Sequence, residues 1–223
     1  MFFKRFLWIF TSPTRVFDDI RDSKVGWWQP WVWISILFMI ATYLAMPAQR
    51  ALMELNPKMT PEMAEKMGSA AYIQLVLAPA MALIVAFLAA GITYVFVTLQ
   101  SKEATFKKYF TLILFTNLIY SLGYVITTMI LRARGTDNIT SPDDLKISLS
   151  LRMFAPEANA VVRGLLASIE FFSIWGLTLV VLGVRRIFNL RTGQAIACVV
   201  PLWVIYAVLS VVGEAFSNFG SGQ

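Results

Sequence analysis

Long stretches without charge organise this chain. No charged residue lies between Lys24 and Arg50, between Lys66 and Lys102, between Lys108 and Arg132, or between Arg191 and Glu214. A fifth stretch, Gly164 to Val184, carries only Glu170. A helix needs about 20 mostly apolar residues to cross a hydrocarbon core of roughly 30 Å. The pattern therefore predicts spans at about 27–46, 72–99, 109–131, 164–184 and 192–213. Backbone groups in lipid must be satisfied within the segment, so each span is expected to be a helix. The alternating runs of about ten residues that mark a membrane β-barrel are absent. The expected fold class is all-α: a polytopic integral membrane protein, a five-transmembrane-helix bundle with an N-terminal interfacial amphipathic helix. Residues 1–26 form the interfacial segment, 27–213 the membrane domain and 214–223 a short tail.

The first residues do not read as a signal peptide, because the apolar run after Lys4 and Arg5 is short and no small-residue cleavage site follows it. Met1 to Phe10 reads instead as an amphipathic segment on the membrane surface. Ser12 is placed as an N-cap with Pro13 at the first helical position. In the helix that follows, Val16, Phe17 and Ile20 share one face, with Arg15, Asp18, Asp19 and Asp22 elsewhere. That helix is either a solvated element touching the first span or a binding element. Phe3, Phe6, Trp8, Trp27 and Trp28, joined by Phe2, Trp31 and Trp33, are the expected interfacial anchors.

Composition sharpens this picture. Hydrophobic residues make up 58% and charged residues 14% of 223 positions, against roughly 45–50% and 25% in soluble domains. The apolar excess is too large for one soluble core. The net charge of +6 is carried by residues at span ends, so nucleic acid is not an expected partner. Short basic loops set orientation. Placing the N-terminus in the cytoplasm puts eleven Lys and Arg inside and eight outside, with Lys102, Lys107 and Lys108 and then Arg185, Arg186 and Arg191 in two dense inner loops. The C-terminus is then outside, and a bacterial inner membrane is the expected location. The chain has no histidine and one cysteine, Cys198. No imidazole triad and no cysteine cluster can be built, so neither a cofactor nor a metal site is expected. The expected partners are the lipid bilayer and a membrane protein or second copy of the chain.

Some polar residues lie within the spans. Asn117, Tyr120, Ser121, Tyr124 and Thr128 form a stripe at helical spacing on the third. Glu170 lies on the fourth, where a carboxylate costs a few kcal/mol or more unless protonated, paired or wetted. Counting turns between antiparallel helices predicts a close approach between Glu170 and Tyr124 or Thr128, with Asn117 nearer the cytoplasm and Arg163 at an outer mouth. This candidate cluster is either a packing contact around a protonated acid or a small polar cleft. Ala78, Ala82, Ala86 and Ala90 recur every fourth position and are read as a packing face. Pro79 and Pro201 should kink their helices or mark their ends. In the outer loops, Thr60-Pro61-Glu62, Ala155-Pro156-Glu157 and Ser141-Pro142-Asp143-Asp144 read as helix starts, the last leading a short helix over about 142–151. Asn138-Ile139-Thr140 matches a glycosylation acceptor, a pattern that recurs by chance.

The run from Phe171-Phe172-Ser173-Ile174-Trp175-Gly176-Leu177 to Leu182-Gly183-Val184-Arg185-Arg186 resembles the fourth span of bacterial Yip-domain proteins, relatives of the Ypt/Rab-interacting proteins, with Glu170 at the family's acidic position. Ser12-Pro13 through Phe17 and Ile20, then Trp27-Trp28-Gln29-Pro30, is similar to that family's entry into its first span. Gly123-Tyr124 matches its Gly-Tyr pair. The resemblance covers nearly the whole chain and implies a five-span membrane protein. The Asp-Leu-Tyr-Gly-Pro motif of eukaryotic members is absent, so GTPase binding does not carry over. Three functions follow in order of support: a non-catalytic organiser of lipids or partner proteins, a small transporter or lipid translocator using Glu170, and an intramembrane enzyme. The last has no acid–base pair to work with.

Overall fold

The structure is a computed structural model. It describes residues 1–54, 61–136, 139, 150–155 and 159–220. The described residues are almost wholly helical. In order they form α1 (Phe2–Thr11), α2 (Pro13–Arg21), α3 (Trp28–Glu54), α4 (Pro61–Gln100), α5 (Phe106–Arg134), a single 3-10 turn (Leu151–Phe154), α6 (Ala160–Ala167), α7 (Phe171–Ile187) and α8 (Thr192–Gly220). Among the described residues, four helical segments are long and apolar enough to cross a membrane: Trp28–Met53, Leu75–Gln100, Phe106–Arg134 and Thr192–Gly213. Only 11% of the α4 segment is buried against 61% of the α5 segment. Apolar side chains that point away from protein along α4, such as Val76, Ile84, Val85 and Leu88, suit a helix whose surroundings are lipid rather than water.

The expected fourth span, 164–184, is not one helix. α6 ends at Ala167 and α7 begins at Phe171. No proline or glycine lies at the break. Glu170 is extended there, at φ −122° and ψ 149°, and pairs with Ser150 as an isolated antiparallel bridge. The Leu151 N–H donates to the Ile169 carbonyl at 3.1 Å, and the Ser168 hydroxyl donates to the Leu165 carbonyl at 2.7 Å. A distant segment thus takes up backbone bonding that a continuous helix would have supplied. α7 is left with 17 residues, about 26 Å of helix at 1.5 Å per residue.

The chain divides into two compact units. The first holds residues 1–30, 86–120 and 148–223. Within it, α2 packs on α7 through Val16, Phe17 and Ile20, all fully buried. α2 is therefore a packed element rather than a solvated one. It starts at Pro13 as expected, although the Ser12 side chain makes no capping bond. Its end is a Schellman motif. Ser23 is left-handed at φ 58°, with its N–H on the Ile20 carbonyl at 3.0 Å and that of Lys24 on the Asp19 carbonyl at 2.8 Å. α7 ends similarly, with Asn189 at φ 52° and Leu190 N–H on the Arg185 carbonyl at 3.1 Å.

Glycines set the closest helix approaches in this unit. A Cβ on Gly176 would lie 2.6 Å from the Tyr120 ring, and one on Gly183 would run into the Leu112 side chain. These two positions seat α7 on α5. A Cβ on Gly164 would strike the backbone of Val211, so α6 meets α8 almost main chain to main chain. Small residues at helix contacts are how membrane helices gain packing without a hydrophobic driving force. Ala86 and Ala90 are buried on the same face of α4 as Thr93 and Val97.

The second unit holds residues 31–85 and 121–147. The Trp31 indole donates to the Pro79 carbonyl at 3.1 Å, and Ala48, Leu131 and Ile139 pack together. Pro47, Pro79 and Pro201 all lie inside helices. α3 continues past the expected end at residue 46, through Pro47, to Glu54. α4 opens on Pro61 as its sequence suggests. Thr60, the 142–149 part of the expected loop helix, Asn138, Thr140 and the Pro156-Glu157 start lie outside the described residues.

Candidate functional site

The residues singled out from sequence fall in both units. Glu170, Asn117 and Arg163 belong to the first, each part-buried. Tyr124 and Thr128 belong to the second, and each has a partner there. The Tyr124 ring packs at 5.6 Å from that of Phe38. The buried Thr128 hydroxyl lies 3.0 Å from the Tyr124 carbonyl and 2.9 Å from that of Val125, in its own helix.

Glu170 occupies the N-cap of α7 without making a side-chain capping bond. A carboxylate at this end is favoured by the helix dipole, so its placement does not require a charge mid-helix in hydrocarbon. The stripe residue that reaches the start of α7 within the first unit is Tyr120. Its hydroxyl donates to the Ser173 carbonyl at 3.4 Å, one turn beyond Glu170.

A second polar set was not singled out from sequence. Thr93 donates to the Ala89 carbonyl at 2.7 Å and lies 2.8 Å from the Tyr109 hydroxyl. With the Thr93 proton committed, Tyr109 donates to Thr93. Both residues are fully buried. On α8, Cys198 is buried with its thiol on the Phe96 carbonyl at 3.4 Å. A threonine in an apolar run barely changes hydropathy, so only the spacing of Thr93 from Ala86 and Ala90 on one face could have signalled it.

The most developed electrostatic geometry joins the first two helices to α7. Arg5 is buried, and its Nε donates to Asp19 at 2.8 Å and its guanidinium to Gln29 at 3.2 Å. Asp18 takes two bonds from Arg186, at 2.8 and 3.1 Å, and a third contact from Arg21 at 3.1 Å. The hydrogen bonds from Arg186 hold the Asp18 carboxyl below its usual 3.8, against partial burial, with the charges of Arg186 and Arg21 adding to the effect. Around this frame, Phe2 stacks on Trp28 at 5.7 Å, Phe6 meets Phe10 at 5.3 Å and Phe10 meets Trp175 at 6.0 Å. Arg15 lies 5.5 Å over the Trp8 ring. Trp27 packs 6.2 Å from Phe110, while Phe3 and Trp28 stay about half exposed, at 56% and 51%.

Apolar membrane-length helices, with two short helices clamped by arginine to the end of another, define a multi-pass membrane protein. The chain matches the Yip1 domain over residues 8–213, nearly its whole length, and belongs to that family. No curated protein and no solved structure adds a further match.

Proposed function

We propose that this Yip1-family chain is a non-catalytic membrane protein that organises lipids or partner proteins from a helical platform formed by α1 and α2. The supporting observation is the clamp: Arg5–Asp19 and Asp18–Arg186 fix both short helices to the end of α7. Phe3 and Trp28 stay about half exposed, Lys4 follows Phe3 in the chain, and Arg15 lies over the Trp8 ring. An aromatic face bordered by basic side chains suits the headgroup region, where Trp, Phe and cations anchor. In this reading α1 is the interfacial helix, and Phe3, Phe6, Trp8, Trp27 and Trp28 are its anchors. α7 is a fifth crossing at the short end of the workable range, with the N-terminus in the cytoplasm and the C-terminus outside, in a bacterial inner membrane. Affinity capture from native membranes, comparing wild type with a chain lacking residues 1–11, tests this. Partners or co-purifying lipids lost on truncation support the platform; identical captures, or none from either, oppose it.

A second reading, a small transporter or lipid translocator, draws on the interruption at Ser168-Ile169-Glu170, because broken helices build substrate sites in transporters. Liposome flux by wild type and Glu170→Gln separates the two readings. Flux that falls with the substitution favours transport, and equal flux removes Glu170 from any mechanism.

A further inference from the structure

Beside the clamp lies a pocket of about 630 Å³ whose walls include Thr14, Arg21, Arg185, Arg186, Arg191 and Thr192. Four arginines line it, from α2, α7 and the turn that leads into α8. Two of them are paired: Asp18 is shared between Arg186 and Arg21, and Arg21 also contacts Asp22 at 3.2 Å. Arg185 and Arg191 make no ion pair among the described residues. The wall therefore carries uncompensated positive charge in a concave site, where field lines concentrate and a counter-anion is most favoured.

The start of α8 gives an independent reason to expect an anion. Arg191 occupies the N-cap position, where a side-chain oxygen usually accepts the second or third amide. A guanidinium has no acceptor to offer. The Gln194 side chain reaches back to accept the Arg191 N–H at 3.1 Å, completing half of a capping box. The amides of Thr192, Gly193 and Gln194 are left without acceptors among the described residues, at the positive end of a 29-residue helix. A cation capping a positive helix end is unfavourable by itself, and a bound anion reverses the sign. The Thr14 and Thr192 hydroxyls add neutral donors.

The ligand chemistry follows from these groups. Paired guanidiniums with helix amides fit a tetrahedral, multiply charged oxyanion, since arginine binds phosphate oxygens bidentately. On the α7 wall, Leu182 also lines the pocket on the same helical face as Arg185 and Arg186, toward the apolar body of that helix. A phosphate on a glycerol backbone has this polarity. We propose that the pocket binds a phosphate-bearing anion, held by Arg185, Arg191 and the first amides of α8. This goes beyond the platform reading and needs only that α7 and α8 stand in the membrane, so loss of partner capture would leave it intact.

The test compares the full-length protein in nanodiscs of phosphatidylcholine alone or with one-fifth phosphatidic acid, counting retained lipids by native mass spectrometry. Inorganic phosphate is titrated separately and read by thermal shift. Wild type should retain phosphatidic acid about tenfold over its share of the bilayer. Arg185→Gln with Arg191→Gln should lose that enrichment, and the Lys pair, which keeps the charges but not the bidentate fork, should keep only part of it. Lys102→Gln with Lys107→Gln removes equal charge outside the pocket and should change enrichment less than twofold. Enrichment that millimolar phosphate does not displace identifies a lipid headgroup as the source. An Arg185- and Arg191-dependent shift with phosphate, without lipid enrichment, identifies a free phosphate. If the Arg185/Arg191 and Lys102/Lys107 glutamine pairs bind alike, or wild type binds neither probe, the proposal is wrong. Melting temperatures of the variants within a few degrees of wild type show that loss of binding is not loss of fold.

Discussion

Asp18 and Arg186 stand 168 positions apart and meet through two hydrogen bonds of 2.8 and 3.1 Å. The pair ties an N-terminal helix to the far end of α7. Its side chains are 32% and 52% exposed, so solvent screens it and it adds little to stability. Its effect is positional. Asp18→Asn and Arg186→Gln should each raise amide exchange in α2 several-fold while leaving the melting temperature nearly unchanged. The exchanged pair, D18R with R186D, should recover part of the protection.

The same pair gives a pH dependence. The folded Asp18 carboxyl titrates below its usual value of 3.8, so folding is favoured while it is ionised. That contribution is fully present above the unfolded value and is lost as pH falls through the lowered folded value. Protease cleavage after Arg21 should therefore be slow and flat from pH 7 to about 5, then accelerate below the usual carboxylate range, when sampled with an acid-tolerant protease. Asp18→Asn should be fast throughout.

Glycine contacts predict an asymmetry in rescue. Gly183→Ala presses on the Leu112 side chain, and overpacking of this kind costs about 1–3 kcal/mol. Leu112→Ala should relieve it, so the double variant is less destabilised than the sum of the singles. Gly164→Ala presses on the Val211 backbone, and Val211→Ala should give no relief. Thermal unfolding in one detergent measures all six variants.

The buried Thr93–Tyr109 bond predicts unequal costs. Tyr109→Phe leaves Thr93 donating to Ala89 and should cost roughly 0.6 kcal/mol, the usual scale for such bonds in membranes. Thr93→Val strands the Tyr109 hydroxyl in a dry site and should cost about 1–3 kcal/mol. The same unfolding assay ranks them, and equal losses would deny the bond its direction.

Ser23 holds a left-handed conformation at φ 58° that suits glycine. Ser23→Gly should stabilise α2 by about 1 kcal/mol, seen as slower exchange at Ile20 and Arg21. Asn189→Gly should change little, since asparagine tolerates this region.

These particulars show what was legible in the sequence. Hydropathy located α3, α4, α5 and α8 because a membrane crossing needs only length and lack of charge. Helical spacing found the buried face of α2, since Val16, Phe17 and Ile20 recur at the interval a packed face requires. The interruption before α7 was not legible. It contains no proline or glycine and depends on Ser150 and Leu151, whose partnership exists only once the chain has folded back. Counting turns put Glu170 inside a helix for that reason. The burial of Arg5 was hidden similarly, as its partner Asp19 lies 14 positions away and on another helix.

In the proposed topology α7, short and interrupted at its start, completes a fifth crossing. Replacing Cys198 with Ala allows single cysteines at Ser101, Thr136 and Gly193, the last with open space around it, to be labelled with an impermeant maleimide in right-side-out and inverted vesicles. Five crossings place Gly193→Cys on the face labelled by Ser101→Cys and opposite Thr136→Cys. If Gly193→Cys labels together with Thr136→Cys, α7 does not cross, and the five-span topology is wrong.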